Sequence, residues 1–135
     1  MHIIIWQFTV QEEHIQEFTS AYGSNGSWAN LFRRSEGYLG TQLLRSSHEP
    51  NNFLTIDRWE NATCFEIFLQ RFGAEYKKLD TQLEGYTSSE KNVGTFSEAL
   101  GQIRAAVSQA CVEQQRPSWF TCDRISILRL VIFFL

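Results

Sequence analysis

Cysteine is scarce in this chain and falls in no pattern: Cys64, Cys111 and Cys122 are an odd set of three without CxxC spacing. That count argues against a disulfide framework and a structural zinc site, and a reducing, cytoplasmic setting fits it. Histidine is as sparse. His2, His14 and His48 fall at a terminus, on a polar helix face and in a loop, with no carboxylate at metal-ligand spacing, so no metal site is expected. Charge of one sign does not accumulate either. The 12 basic and 15 acidic residues leave a net charge of −3 without a long block of either sign, which removes nucleic acid from the expected partners.

Long hydrophobic runs are also missing. Met1 to Gln7 carries no basic leader and no small-residue cleavage site, so secretion has no support. The apolar segment 125–135 contains Arg129 and falls short of the roughly 20 residues a bilayer span needs. No membrane partner is expected. There is no nucleophile elbow, P-loop or dinucleotide fingerprint, since Gly23-Ser24-Asn25-Gly26 lacks both the glycine spacing and the preceding strand that phosphate binding requires. Internal repeats and low-complexity segments are absent.

What the chain does have is ring surface: aromatics make up 14% of 135 residues, with 11 Phe, 4 Trp and 4 Tyr. That is more than one packed core of this size needs, so some rings are expected to line a pocket or an oligomer interface. Two period-two runs, Tyr38 to Arg45 and Phe53 to Trp59, flank a polar loop and predict a β-hairpin. Ahead of them, Ile4, Trp6, Phe8 and Val10 share one strand face and Ile3, Ile5, Gln7 and Thr9 the other, so this strand is expected to be central.

Ile15, Phe18, Ala21 and Tyr22 form one helical stripe ending near Gly23, and Ser27 can cap a short helix bearing Trp28, Leu31 and Phe32. Asn61 caps a longer helix whose stripe is Phe65, Phe68, Leu69, Phe72, Tyr76 and Leu79. Val93 to Phe96 is the candidate fourth strand. Beyond it, Phe96, Leu100, Ile103, Val107 and Ala110 or Cys111 mark one face of a further helix, Pro117 interrupts it, and an apolar end follows. The order strand, helix, hairpin, helix, strand reads as an α+β, ferredoxin-like split βαβ unit with an antiparallel sheet. It occupies residues 1–97, with a C-terminal helical and apolar extension over 98–135, packed on the domain or on a partner subunit.

The first strand, Ala21-Tyr22-Gly23, the stretch Trp28 to Tyr38 and Leu54 to Trp59 together resemble the antibiotic biosynthesis monooxygenase-like family of dimeric α+β barrels. The resemblance implies a cytoplasmic homodimer whose sheets pair face to face, with a pocket between sheet and helices in each subunit. It also implies oxidation of an aromatic or quinone-like ligand by molecular oxygen with no cofactor. For the haem-degrading branch the resemblance calls for an Asn on the first strand, a Trp on the second main helix and a His after it. This chain has Trp6, Phe68 and no His near Tyr76 to Lys78, so haem degradation is a poor reading.

Metal-free oxygenation asks for a pocket that binds an easily deprotonated substrate, stabilises its anion and excludes water. Trp6, Trp28, Phe32, Tyr38, Trp59, Phe68, Phe72 and Tyr76 are the candidate walls, and Arg58, Asp57 or Tyr76 the candidate polar hooks. For any one ring, core packing is the blander alternative. Asp57 and Trp59 share a strand face while Arg58 points the other way, so Asp57 and Arg58 cannot both line one pocket. If Trp59 belongs to the pocket face, Asp57 is the nearer hook and Arg58 is better placed for a cross-strand or subunit contact, and the sequence does not fix which face that is. Arg33 and Arg34 are weaker hooks, better read as partners of a helix C-terminus. Trp28 and Phe32 can serve as lid or as packing. Cys64 reads as a small buried residue rather than a nucleophile. An enclosed space of about 300 Å³ or more would favour an enzyme; a filled interior would favour a non-catalytic binding module on the same scaffold.

Overall fold

Alternation along the first strand determines how the rest of the chain packs. In the computed structural model, which describes residues 1–99, β1 (His2–Val10) buries Ile4, Phe8 and Val10 and turns Gln7 to solvent. A short 3-10 turn leads into α1 (Ile15–Tyr22), and α2 (Ser27–Phe32) follows. The hairpin is β2 (Tyr38–Arg45) and β3 (Asn52–Trp59), then come α3 (Ala62–Leu83) and β4 (Thr87–Phe96). The four strands pair antiparallel in the order β2-β3-β1-β4, which makes β1 central as its two apolar faces require. This is the ferredoxin-like α+β arrangement, with the helices on one face of one antiparallel sheet.

Two local expectations change. Ser27 is the first residue of α2, not its cap: Gly26 holds the cap position without a side-chain bond. The reason is steric, because a Cβ on Gly26 would lie 2.3 Å from the Ala21 carbonyl oxygen. Only a residue without a side chain lets α1 and α2 approach so closely. The fourth strand is also longer than its hydrophobic core suggested. Its exposed residues Ser89 to Asn92 pair with β1, and Ser88 Oγ donates to the Thr9 carbonyl at 3.2 Å, a pairing that polar composition conceals.

Asn61 does cap α3, its Oδ1 accepting from the Cys64 amide at 2.9 Å. Ahead of β2, Gly37 adopts φ 81°, and a Cβ there would meet Cys64 Sγ at 2.5 Å, so the turn into β2 is closed against the start of α3. The core between sheet and helices is a chain of rings. Trp59, Phe18 and Phe68 are fully buried, and Phe68 packs edge-on to Phe32 with centroids 5.2 Å apart. The helix expected from Phe96 to Cys111, Pro117 and the apolar end lie outside the described residues, apart from Phe96, which closes β4.

Candidate functional site

The sheet's helix-facing side carries Thr55, Asp57 and Trp59 from β3 and Thr41 from β2, all buried. Burying Thr and Asp in this row rather than apolar residues costs the fold unless they are bonded to one another. They are. Thr41 Oγ1 donates to Asp57 Oδ1 at 2.5 Å, and the Tyr38 hydroxyl donates to Thr41 Oγ1 at 2.7 Å. Residues Thr41 and Asp57 are direct partners in the β2–β3 register, which is why the hydroxyl meets the carboxylate.

A cleft opens over this polar pair. Its floor includes Thr41, Thr55 and Asp57, and its walls are rings: Trp6 and Phe8 from β1, Tyr22 from α1, Trp28 and Phe32 from α2, and Tyr76 from α3. Asp80 and Glu90, both exposed, complete the lining at its mouth. The cleft holds about 60 Å³. The enclosed space therefore falls short of the roughly 300 Å³ expected of a pocket that swallows a drug-sized ligand. The buried rings take up most of the interior. That filled interior counts toward the non-catalytic binding module; what counts toward chemistry is the buried Thr41–Asp57 pair on the floor, within reach of a ligand that inserts only one end.

The electrostatics of the cleft are unusual for a surface this close to water. Burial raises Asp57 from 3.8 to about 6, against the opposing pull of the Thr41 hydrogen bond and the Arg58 charge. Burial likewise pushes the Tyr76 hydroxyl up to about 12, with the charges of Asp80, Asp57 and Glu90 adding to the rise. Tyr38 and Tyr22 are also raised, burial being the main cause in each. An acid that titrates near neutrality, on the floor of an aromatic cleft and aligned by a hydroxyl, can accept a proton from a bound ligand. Among the described residues no group of His, Cys, Asp and Glu is placed to hold a metal ion.

Of the residues proposed from the sequence, Trp6, Trp28, Phe32, Asp57 and Tyr76 meet in this cleft. Tyr38 reaches it only through Thr41. Trp59, Phe68 and Phe72 lie behind it in the packed core, Trp59 with no exposure at all. Trp28 and Phe32 are 8% and 5% exposed and pack as walls, Trp28 with its centroid 4.9 Å from that of Tyr76, so neither is a free lid. Arg33 faces away: its guanidinium donates to Ser24 O and to Asn25 and Asn30 side chains, tying down the loop before α2. Arg34 lies over the Phe72 ring and 3.9 Å from Glu75. Arg58, on the opposite sheet face, donates to Gln42 Oε1 at 3.2 Å. Sequence reasoning missed Thr41 and Thr55, which the alternation of the hairpin could have placed beside Asp57. It also missed Asp80 and Glu90, whose convergence has no local signal.

The family model for antibiotic biosynthesis monooxygenases matches residues 1–79. The chain belongs to this family. Solved structures agree on the fold. SnoaB from Streptomyces nogalater, a cofactor-independent oxygenase seen as a point variant, is 24% identical with a TM-score of 0.60, over 73% of this chain and 95% of that one. A conserved protein from Methanosarcina mazei Go1 is 12% identical with a TM-score of 0.56, over 73% and 92% of the two chains. An antibiotic biosynthesis monooxygenase is 16% identical with a TM-score of 0.53, over 73% and 99%. No curated protein matches the chain. At these identities the likeness fixes the family fold, and the chemistry rests on the cleft itself.

Proposed function

We propose that this family member is a cofactor-independent oxygenase of an aromatic or quinone-like hydroxylated substrate, bound in the cleft with Asp57 as the general base. The observation that carries the reading is a buried carboxylate, raised to about 6, on the floor of an aromatic-walled cleft. Near neutral pH that carboxylate is largely ionised and basic enough to take a phenolic or benzylic proton whose acidity the ring already provides. Thr41, bonded to both Tyr38 and Asp57, is the positioning residue that aims the carboxylate. The ring walls hold the substrate and exclude water while its electron-rich carbanion meets molecular oxygen. In the net reaction a ring CH₂ becomes C=O: one oxygen atom enters the substrate and the other leaves as water with the two hydrogens, the substrate supplying the electrons.

Oxygen uptake with a panel of hydroxylated anthrones, which carry the ring CH₂ the reaction consumes, tests the reading. Asp57→Asn should slow enzymatic uptake about 100-fold or more, the lower end of what a general base contributes. Uptake unaffected by that substitution, with every substrate that is turned over, would remove Asp57 from the reaction.

A homodimer is part of the same proposal. The sheet face away from the helices presents Ile3, Ile5, Leu54 and Ile56, together with Leu44 at 39% and Phe96 at 46% exposure. Such an apolar sheet face is what a second copy would cover. Residues 98–135 are proposed to form the separate extension read from the sequence. Among the described residues no helix is long and apolar enough to cross a membrane. With Cys64 a free thiol, a reducing, cytoplasmic setting is the proposed location.

A further inference from the structure

The cleft combines two sets of groups that rarely meet by accident. Its walls are the electron-rich faces of Trp6, Tyr22, Trp28 and Tyr76, and three carboxylates, Asp57, Asp80 and Glu90, share the lining. Among the described residues no Lys, Arg or His lines it. Arg33 is engaged with the α1–α2 loop and Arg34 with Phe72 and Glu75, while Arg58, on the opposite sheet face, donates to Gln42 and acts on Asp57 only through its charge. Aromatic faces attract cations through their quadrupoles, and carboxylates at the mouth add to the same field.

Charge arithmetic points the same way. When Asp57 takes a proton from a bound neutral substrate, the negative charge passes to the substrate, where Asp80 and Glu90 oppose it. A positive charge on the substrate offsets that opposition. We infer that the ligand of this cleft is an aromatic that carries a protonated or quaternary amine beside its hydroxyl or keto oxygen, the amine held in the mouth by Asp80, Glu90 and Tyr76. This inference rests on the cleft being the ligand site, and it adds the charge class of the ligand. Carboxylated aromatics are disfavoured by the same field.

Three probes of one ring size test it on the full chain by calorimetry at neutral pH: 1-naphthylmethylamine, 1-naphthol and 1-naphthoate. The amine should bind about tenfold more tightly than the naphthol, and the naphthoate more weakly than either. The double substitution Asp80→Asn/Glu90→Gln alters exposed residues only and should bring the amine down to the naphthol's affinity. The control Glu12→Gln/Glu13→Gln removes equal charge outside the cleft lining and should leave the amine's advantage in place. Equal affinity for the amine and the naphthol, or an equal loss in both double variants, overturns the charge class while leaving the cleft as an aromatic site. Binding of none of the three overturns the cleft reading together with this one.

Discussion

Asp57→Asn should stabilise the protein at neutral pH and progressively less in acid. Burial lifts Asp57 from 3.8 to about 6, so the folded state binds a proton that the unfolded state has already released over that interval. Where the native state holds more protons, stability falls as pH rises. The contribution is fully present below the unfolded value, is lost as pH climbs through about 6, and amounts to about 3 kcal/mol over the whole range. Between about pH 4.5 and about pH 7.5 the loss is about 2 kcal/mol. Asparagine keeps the shape and an acceptor for the Thr41 hydroxyl, and it does not titrate. Urea unfolding of both proteins across that range isolates Asp57, because every other titrating group is common to the two. The advantage of the Asn variant should grow from about 1 kcal/mol at the acid end to about 3 kcal/mol at the neutral end. A difference that stays constant with pH would mean that Asp57 ionises as freely in the fold as in the open chain, and the basis for treating it as a tuned base would be gone.

Thr41→Val removes the donor that favours the ionised form of Asp57, so the carboxyl should titrate above about 6, a shift visible by carbon NMR of the side chain. A midpoint that falls or stays put would refute the relay. Gly37→Ala forces a side chain at φ 81° against Cys64 and should cost about 2–4 kcal/mol in urea unfolding; a cost under about 0.5 kcal/mol would show that the α3 start gives way easily. Ile56→Glu places a charge on the sheet face away from the helices, in register with Ile5 and Gln42, and should convert the proposed dimer to a monomer by sedimentation while preserving the fold by circular dichroism. A sedimentation profile unchanged by Ile56→Glu would move the subunit contact off that face.

The strands of this protein were legible because a two-residue period is a local property. The alternation of Ile4, Trp6, Phe8 and Val10 placed β1 in the middle of the sheet, and the hairpin boundaries follow from where alternation stops. Asn61 announced α3 because a capping side chain acts on an amide three residues away. The same period put Asp57 and Trp59 on one face and Arg58 on the other. It could not say which of the two residues borders a void, since Trp59 is sealed by Phe65 and Phe68 while Asp57 lies open to the cleft.

That difference belongs to the tertiary structure. Phe68 and Phe72 share a helical stripe with Tyr76, yet only Tyr76 lines the cleft, and α3 departs from helical geometry at Phe72 between them. Asp80 and Glu90 come from the end of α3 and from β4, and no sequence pattern links them to Asp57. Composition and periodicity determined that this chain makes a ring-rich, two-layer α+β unit, because those depend on which residues are apolar and how often they recur. The place where the rings leave a gap, and the negative field within it, were decided only when distant elements closed on one another.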